Sequence, residues 1–294
     1  MKISVLGLGL LGKSIAKRLL LSGFTLSVYN RTSHKTNELK ELGAHVSNSP
    51  KELADNSDIL LICVTDYDSI LEICNNRNGG LLESNNTDVL IINTSTITSK
   101  QANEIEKLLQ TKGFRIMSMP VMGGPKAAEK GELIPIISGN INDYVLSKSL
   151  IEAISTIHFY TGEGSERAFI LKLALNLNIA QIATALSEGI IFTKKSGVDP
   201  SLFLKILNST YFKTGISENK GQKMIDNNFD SSFYLKNMLK DLNLVLSTAN
   251  EHDIKLPATE NAQIMFNKSS ASGYDELDYT GILKYLSKIN GLNS

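Results

Sequence analysis

The sequence predicts an α/β domain built on a doubly wound, mostly parallel sheet, followed by an all-α domain that one long helix joins to it. Up to about residue 160, short β-branched runs alternate with helical patterns. A glycine-rich turn separates the first such run from the first helix, and strand-like runs stop after Thr161-Gly162-Glu163-Gly164. These three observations place a sheet domain at 1–162 and a helical domain at 163–294.

The expected strands are Ile3–Leu6, Leu26–Tyr29, Ile59–Val64, Val89–Ile92, Phe114–Met117, Leu133–Ile137 and Ile157–Tyr160. A helix is expected over Leu10–Leu21. Ser49-Pro50-Lys51-Glu52 offers a helix start with an N-cap serine, proline at the first position and a capping-box glutamate, and Thr98-Ser99-Lys100-Gln101 repeats the device. Ser165 to Lys195 reads as one helix of about 30 residues and ~45 Å. Its apolar residues (Ile170, Leu171, Leu173, Leu175, Ile179, Ile182, Leu186, Ile190) occupy most sides, as in a helix buried between domains or subunits. Gly197-Val198-Asp199-Pro200 ends it and caps the next. Further helices are expected over Ser201–Asn208, Ser232–Glu251, Ala258–Lys268 and Tyr279–Ile289.

Of 294 residues, 42% are hydrophobic and 20% charged, which excludes disorder and fibre. Lys+Arg 30 balances Asp+Glu 30, so no overall field exists to hold a nucleic acid or an anionic membrane. Two cysteines, Cys63 and Cys74, lack C-x-x-C spacing and follow no secretory leader, which favours the cytoplasm. No stretch reaches ~18 uninterrupted apolar residues, so no membrane span is expected. His34, His45, His158 and His252 are scattered, and no metal is expected.

Gly7-Leu8-Gly9-Leu10-Leu11-Gly12 lies between a strand and a helix, the context in which G-x-G-x-x-G binds a dinucleotide in a Rossmann-type fold. Gly7 permits the tight turn, Gly9 lets a pyrophosphate approach the backbone, and Gly12 allows close packing of helix on strand. An acidic residue at the end of the second strand would favour NAD. This chain has Asn30-Arg31-Thr32, an amide, a guanidinium and a hydroxyl that suit the 2′-phosphate of NADP; the alternative is a solvated Arg31 beside a turn-forming Asn30.

Lys172 and Asn176 lie one turn apart on the apolar helix. Periodicity alone leaves two readings of Lys172, a side chain snorkelling to the surface or a buried ammonium with a task.

Taken with the glycine loop and Val28-Tyr29-Asn30-Arg31-Thr32, four further segments carry a resemblance: Asn93-Thr94-Ser95-Thr96; Pro120-Val121-Met122-Gly123-Gly124 with Ala128 and Gly131; Gly164 with Lys172 and Asn176; and Lys240-Asp241-Leu242. Over essentially its whole length the chain resembles the β-hydroxyacid dehydrogenase family, which includes 3-hydroxyisobutyrate dehydrogenases and glyoxylate/succinic semialdehyde reductases. The resemblance implies that Lys172 is the general acid/base and that Asn176 holds substrate. It also implies that Val64, Thr65 and Thr96 line the nicotinamide side of a cleft between the domains, and that Lys240 reaches the cofactor. Each has a plainer alternative: Thr96 as a helix cap, Lys240 paired with Asp241 or with neighbours of Lys236 on an exposed face. Phe233 reads as core and Asp278 as the N-cap of the last helix.

Members usually read Asp-Ala-Pro-Val-Ser-Gly-Gly in the loop that binds the substrate carboxylate. Here Ser118 replaces the aspartate and Met122 the serine. Met122 lacks the hydroxyl, although the amides of Met122, Gly123 and Gly124 can still form an anion-binding nest, and a larger or less polar substrate would suit the thioether. Leu175 stands where decarboxylating 6-phosphogluconate dehydrogenases carry histidine, which argues against that reaction. The expected activity is an NADPH-dependent reductase, with NAD(H) disfavoured, interconverting a small aldehyde acid or 2-oxo acid and its hydroxy acid. The alternatives are an imine reductase of related fold, a group that generally lacks this lysine, and a non-catalytic NADP-binding module. The apolar circumference of the long helix suggests a homodimer or homotetramer.

Overall fold

A computed structural model describes residues 1–76 and 79–292. The chain divides into two compact units, Met1–Lys172 and Leu173–Ser294, and the division falls inside the long helix.

The strands are β1 (Lys2–Leu6), β2 (Thr25–Tyr29), β3 (His45–Val46), β4 (Ile59–Ile62), β5 (Leu90–Asn93), β6 (Arg115–Ser118), β7 (Val121–Met122), β8 (Ile134–Gly139) and β9 (Phe159–Tyr160). Their order is β3-β2-β1-β4-β5-β6-β8-β7, with β9 on β8. Every pairing from β3 to β6 is parallel, and β8 runs antiparallel to β6 and β7. The expected doubly wound, mostly parallel sheet is present, and its order reverses between β1 and β4.

Helices α1 (Leu10–Leu21), α2 (Asn37–Glu41), α3 (Pro50–Asp55), α4 (Tyr67–Asn75), α5 (Ser99–Gln110), α6 (Pro125–Lys130) and α7 (Ile141–Ile154) cover the sheet. Its strands are apolar on both sides. Ile59 and Leu61 of β4 join the core that includes Ile15 and Leu19 of α1, while Leu60 and Ile62 join the core that includes Ile105 and Leu109 of α5. This is the two-residue period of a strand buried on both faces. The register is level at one end: Leu6 is opposite Tyr29 and Ile62, Ile62 is opposite Asn93, and Asn93 is opposite Ser118. The chain therefore leaves β1, β2, β4 and β5 along one edge, where loops can converge.

Ser49 and Thr98 cap α3 and α5 as expected. The Thr98–Gln101 capping box is complete. In α3, Glu52 departs from the expected box, because its carboxylate accepts from the Asn48 N–H at 2.9 Å. The sequence did not anticipate β3 or β7, each two residues long, and it extended the fourth strand two residues past Ile62.

Helix α8 (Glu166–Lys195) is followed by α9 (Pro200–Asn208), α10 (Gly215–Ile225), α11 (Leu235–Glu251), α12 (Pro257–Ala271) and α13 (Ile282–Ile289). The sequence missed α10, and it merged the 3-10 turn Tyr279–Gly281 with α13. By length and composition α8 could cross a membrane, the one helix among the described residues that could. Its buried residues belong instead to protein cores: Phe169 packs in the sheet unit, and Ala180, Ala183, Leu186 and Ile190 pack in the helical unit. Ile170, Leu171 and Leu175 are exposed, so one stripe of this nearly all-apolar helix is covered within the chain, and not its whole circumference.

In the helical unit Asp278 links α10 to the segment before α11 and caps the 3-10 turn, as expected of an N-cap. Its buried carboxylate accepts from Lys220 Nζ at 2.7 and 2.6 Å, the Ser232 N–H at 3.1 Å, the Ser232 hydroxyl at 3.0 Å and the Thr280 hydroxyl at 2.9 Å. Burial alone would raise this carboxyl, but the Lys220 charge and these donors outweigh it and hold it below the usual range. A depressed folded value adds stability above the ordinary carboxyl titration near pH 4, and that stability is lost as pH falls through the folded value. Asp278→Asn should therefore cost about 3 kcal/mol at neutral pH, because it strands the Lys220 ammonium. Thermal melts of variant and parent should converge as the pH is lowered below about 4; a constant difference would refute this account.

Candidate functional site

The glycine loop leaves β1 at the level edge of the sheet. Gly7 has φ +94°, and a Cβ there would overlap the Cys63 carbonyl; a Cβ on Gly12 would overlap the Gly7 carbonyl and lie 2.9 Å from Cys63 Cβ. Those two glycines are required by the protein's own packing. Gly9 differs. It has ordinary extended backbone, and nothing lies within 4 Å of a Cβ placed on it. The space beside Gly9 is open at the start of α1, a helix with no side-chain cap, whereas Ser49, Asp66 and Thr98 cap α3, α4 and α5. The N–H groups of Gly9, Leu10, Leu11 and Gly12 have no acceptor within the helix and form a cradle for an anion. These features fit a dinucleotide pyrophosphate. Leu8 contributes otherwise: its side chain is buried in the core, and its N–H donates to Asn30 Oδ1 at 2.8 Å.

Asn30 follows β2 directly and also donates from Nδ2 to the Thr32 carbonyl at 3.0 Å, so its amide ties the end of β2 to the glycine loop. Arg31 and Thr32 are exposed. The Arg31 guanidinium lies 2.6 Å from the Glu72 carboxylate on α4.

Val64 and Thr65 follow β4, and Thr96 follows β5. The Val64 N–H donates to Ser95 Oγ at 3.2 Å, and the Ser95 N–H donates to Asn93 Oδ1 at 2.9 Å, so Asn93 and Ser95 lock these two loops together. Thr96 is not the cap of α5, a role that falls to Thr98. Burial pushes the Cys63 thiol up to about 11 against the opposing Thr94 hydroxyl, which makes it an inert wall behind the loop.

Met122 ends β7, paired with Ile134 of β8. Gly123 follows at φ +110°, where a Cβ would lie 2.9 Å from the Leu133 side chain, and Gly124 begins α6 without a side-chain cap. Lys172 Nζ donates to the Val121 carbonyl at 2.9 Å and lies 3.3 Å from Met122 Sδ. Of the two readings left open by its periodicity, snorkelling is not what the structure has: the ammonium is turned onto β7, beside the loop Met122–Gly124.

In the helical unit, Asn176 is buried on α8 and donates from Nδ2 to Asp241 Oδ2 at 2.6 Å. Lys240 Nζ lies 2.9 Å from Asp241 Oδ1, so the pairing with Asp241 is present, on a carboxylate that is 1% exposed and not on an open face. Asp241 thus joins two of the expected site residues. It was missed because Lys240-Asp241 reads as an ordinary surface pair; the apolar positions Met238, Leu242 and Val245 around it were the available signal. Phe233 packs against the helical core, as expected.

A family model described as the NAD binding domain of 6-phosphogluconate dehydrogenase matches residues 2–162, and one described as NAD-binding of NADP-dependent 3-hydroxyisobutyrate dehydrogenase matches 167–286. The uncharacterized oxidoreductase YfjR of Bacillus subtilis is 32% identical, covering 97% of this chain and 99% of its own. Glyoxylate/succinic semialdehyde reductase 1 of Arabidopsis thaliana is 30% identical, covering 97% and 98%. The chain belongs to the β-hydroxyacid dehydrogenase family. It is an NAD(P)-dependent oxidoreductase of that family, which acts on small hydroxy or semialdehyde acids. The crystal structure of 3-hydroxyisobutyrate dehydrogenase from Salmonella typhimurium has a TM-score of 0.88 at 22% identity, covering 97% and 99% of the chains. A reductive aminase from Aspergillus terreus has a TM-score of 0.65 at 20% identity over 97% and 99%. At these identities both show the fold alone.

The contrast among the glycines is testable. Gly9→Ala should keep stability within about 1 kcal/mol of the parent, since nothing surrounds the new methyl, while calorimetry shows NADP+ binding weakened by about tenfold or more. Gly12→Ala should cost about 1–3 kcal/mol of stability through overpacking, read as a lower melting temperature even without nucleotide. A Gly9 variant that binds normally would refute the assignment of the cradle.

Proposed function

We propose that the protein reduces a short aldehyde acid or 2-oxo acid, of semialdehyde or glyoxylate type, to its hydroxy acid with NADPH, and that Lys172 is the general acid/base. The observation that carries this reading is the placement of the Lys172 ammonium, 2.9 Å from the Val121 carbonyl and beside the Met122–Gly124 loop. The bound cofactor supplies the hydride to the carbonyl carbon. Lys172 stabilises the charge that develops on the carbonyl oxygen and gives it a proton; in the reverse direction it takes the proton back. An ammonium has three donors. The Val121 carbonyl is a strong acceptor and the Met122 thioether a weak one, so a substrate oxygen displaces the sulfur with the smaller loss.

The amides of Met122, Gly123 and Gly124 hold the substrate carboxylate. Asn176 orients the substrate, its amide held in turn by Asp241. Val64, Thr65 and Thr96 line the nicotinamide, and Lys240 reaches the cofactor. Arg31 and Thr32 favour NADPH over NADH by taking the 2′-phosphate; Asn30 holds the turn beside them. Retention of Lys172 sets this reading above an imine reductase and above a non-catalytic NADP-binding module.

Met122 puts an apolar thioether where a hydroxyl would donate to the carboxylate, and its surface favours less polar substrates over one that carries a hydroxyl beside the carbonyl. Succinic and methylmalonic semialdehydes therefore suit the site better than tartronic semialdehyde. The protein works as a homodimer or homotetramer, a reading supported by exposed Leu202, Ile206 and Phe212 in the helical unit and by Phe192, 73% exposed on α8. Two free cysteines agree with the reducing cytoplasm.

NADPH oxidation should be followed against glyoxylate and the succinic, tartronic and methylmalonic semialdehydes. Lys172→Ala should lower kcat by about 10²–10⁴ while NADPH binding is retained; equal turnover by variant and parent would refute the role of Lys172. Met122→Ser should raise kcat/KM for tartronic relative to succinic semialdehyde by about tenfold. An unchanged ratio would remove Met122 from the basis of selection.

A further inference from the structure

We infer that Glu72 of α4 tunes the cofactor preference by acting as a counter-ion to Arg31, which the 2′-phosphate of NADP(H) must displace and which NAD(H) leaves in place. The inference rests on the reading of Arg31 as the 2′-phosphate ligand. Its observation is the ion pair between Arg31 Nη1 and Glu72 Oε2 at 2.6 Å, with side chains 79% and 56% exposed.

In a dinucleotide fold of this type, a carboxylate at the end of the second strand selects NAD by binding the ribose hydroxyls and repelling a 2′-phosphate. This chain has Asn30 at that position, and its amide is occupied with the Leu8 N–H and the Thr32 carbonyl. A carboxylate nevertheless reaches the same neighbourhood, from α4 after β4, and it lies on the residue expected to receive the phosphate. The two anions compete for one guanidinium. With NADP(H), the phosphate takes the bidentate edge of Arg31, and Glu72 either swings away or remains as a like charge nearby. With NAD(H), Arg31 keeps its partner, so no unpaired cation is left beside the adenosine. Glu72 therefore weakens NADP(H) binding and leaves NAD(H) binding almost untouched, narrowing the preference that Arg31 creates.

The ion pair is exposed, and exposed pairs are weak and salt-sensitive. The effect is accordingly a tuning of about three- to tenfold and not a reversal. Asp68 stands one turn earlier on α4 and is not paired with Arg31. Its neutralisation changes the charge of the same helix by the same amount and isolates the contribution of the pair.

The test uses the full chain and reads binding directly. Affinities for 2′,5′-ADP and 5′-AMP, the fragments that do and do not carry the discriminating phosphate, are measured by calorimetry at low and at physiological salt for the parent, Glu72→Gln, Asp68→Asn and Arg31→Ala. Glu72→Gln should tighten 2′,5′-ADP about three- to tenfold at low salt and less at physiological salt, with 5′-AMP unchanged and Asp68→Asn close to the parent. If Arg31→Ala weakens 2′,5′-ADP selectively but Glu72→Gln leaves it unchanged or weaker, Glu72 is not a competitor and the inference fails while the reading of Arg31 stands. If Asp68→Asn tightens 2′,5′-ADP as much as Glu72→Gln does, overall helix charge explains the effect and the inference again fails. If Arg31→Ala leaves the ratio of the two affinities unchanged, the reading of Arg31 falls and takes the inference with it.

Discussion

The arrangement of the sheet unit depends on how closely the first turn of α1 approaches the carboxyl end of β4. Gly7 and Gly12 are pressed against Cys63 so tightly that neither has room for a Cβ. That contact fixes where the helix begins and which way its unpaired amides face. The level register of β1, β2, β4 and β5 then brings the Asn30, Val64 and Thr96 loops to the same edge. Hydrogen bonds finish the alignment, from the Leu8 N–H to Asn30 and from the Val64 N–H to Ser95. The candidate cradle is thus a consequence of packing behind it, and Gly9 is the one of its three glycines that internal packing leaves unexplained.

The same division, between groups that serve the fold and groups that face a ligand, accounts for what could be read in the sequence. Long strands buried on both faces announce themselves as apolar runs, and capped helices announce themselves at their first residues, so β1, β4, β5, α1 and α5 were legible. β3 and β7 were not, because two residues carry no period; β9, equally short, was anticipated only within the longer run Ile157–Tyr160. α10 was missed for a different reason. It contains Gly215 and Gly221, which read as helix breakers, yet Gly221 sits in the helix so that the Leu204 side chain of α9 can pack onto it, where a Cβ would lie 2.5 Å from Leu204 Cδ1. A glycine required for contact between two helices looks, in one dimension, like a glycine that ends one.

Candidate site residues could be picked out where spacing constrained them and not where only the third dimension did. The glycine loop and Asn30-Arg31-Thr32 could be placed from strand and helix context. Lys172 could not be separated from a snorkelling lysine by its periodicity, since the carbonyl that receives it is 51 residues away on β7. Asp241 is 65 residues from the Asn176 amide it holds. Glu72, the partner of Arg31, lies 41 residues further along the chain. In each case the missing information was a single long-range contact.

Asn30 illustrates how such contacts restrict change. Its side chain is a structural member of the turn, accepting from one backbone amide and donating to a carbonyl two residues on. A carboxylate at this position could still accept but could not donate. The Thr32 carbonyl would then face an anion, and the turn that presents Arg31 would lose one of its braces. Exchange of this amide for a carboxylate would therefore disturb the loop as well as its charge, whereas exchange of a surface side chain on α4 would not. Helix α4 is anchored by its own Asp66 cap and leaves the glycine loop's bracing intact when one of its surface side chains changes.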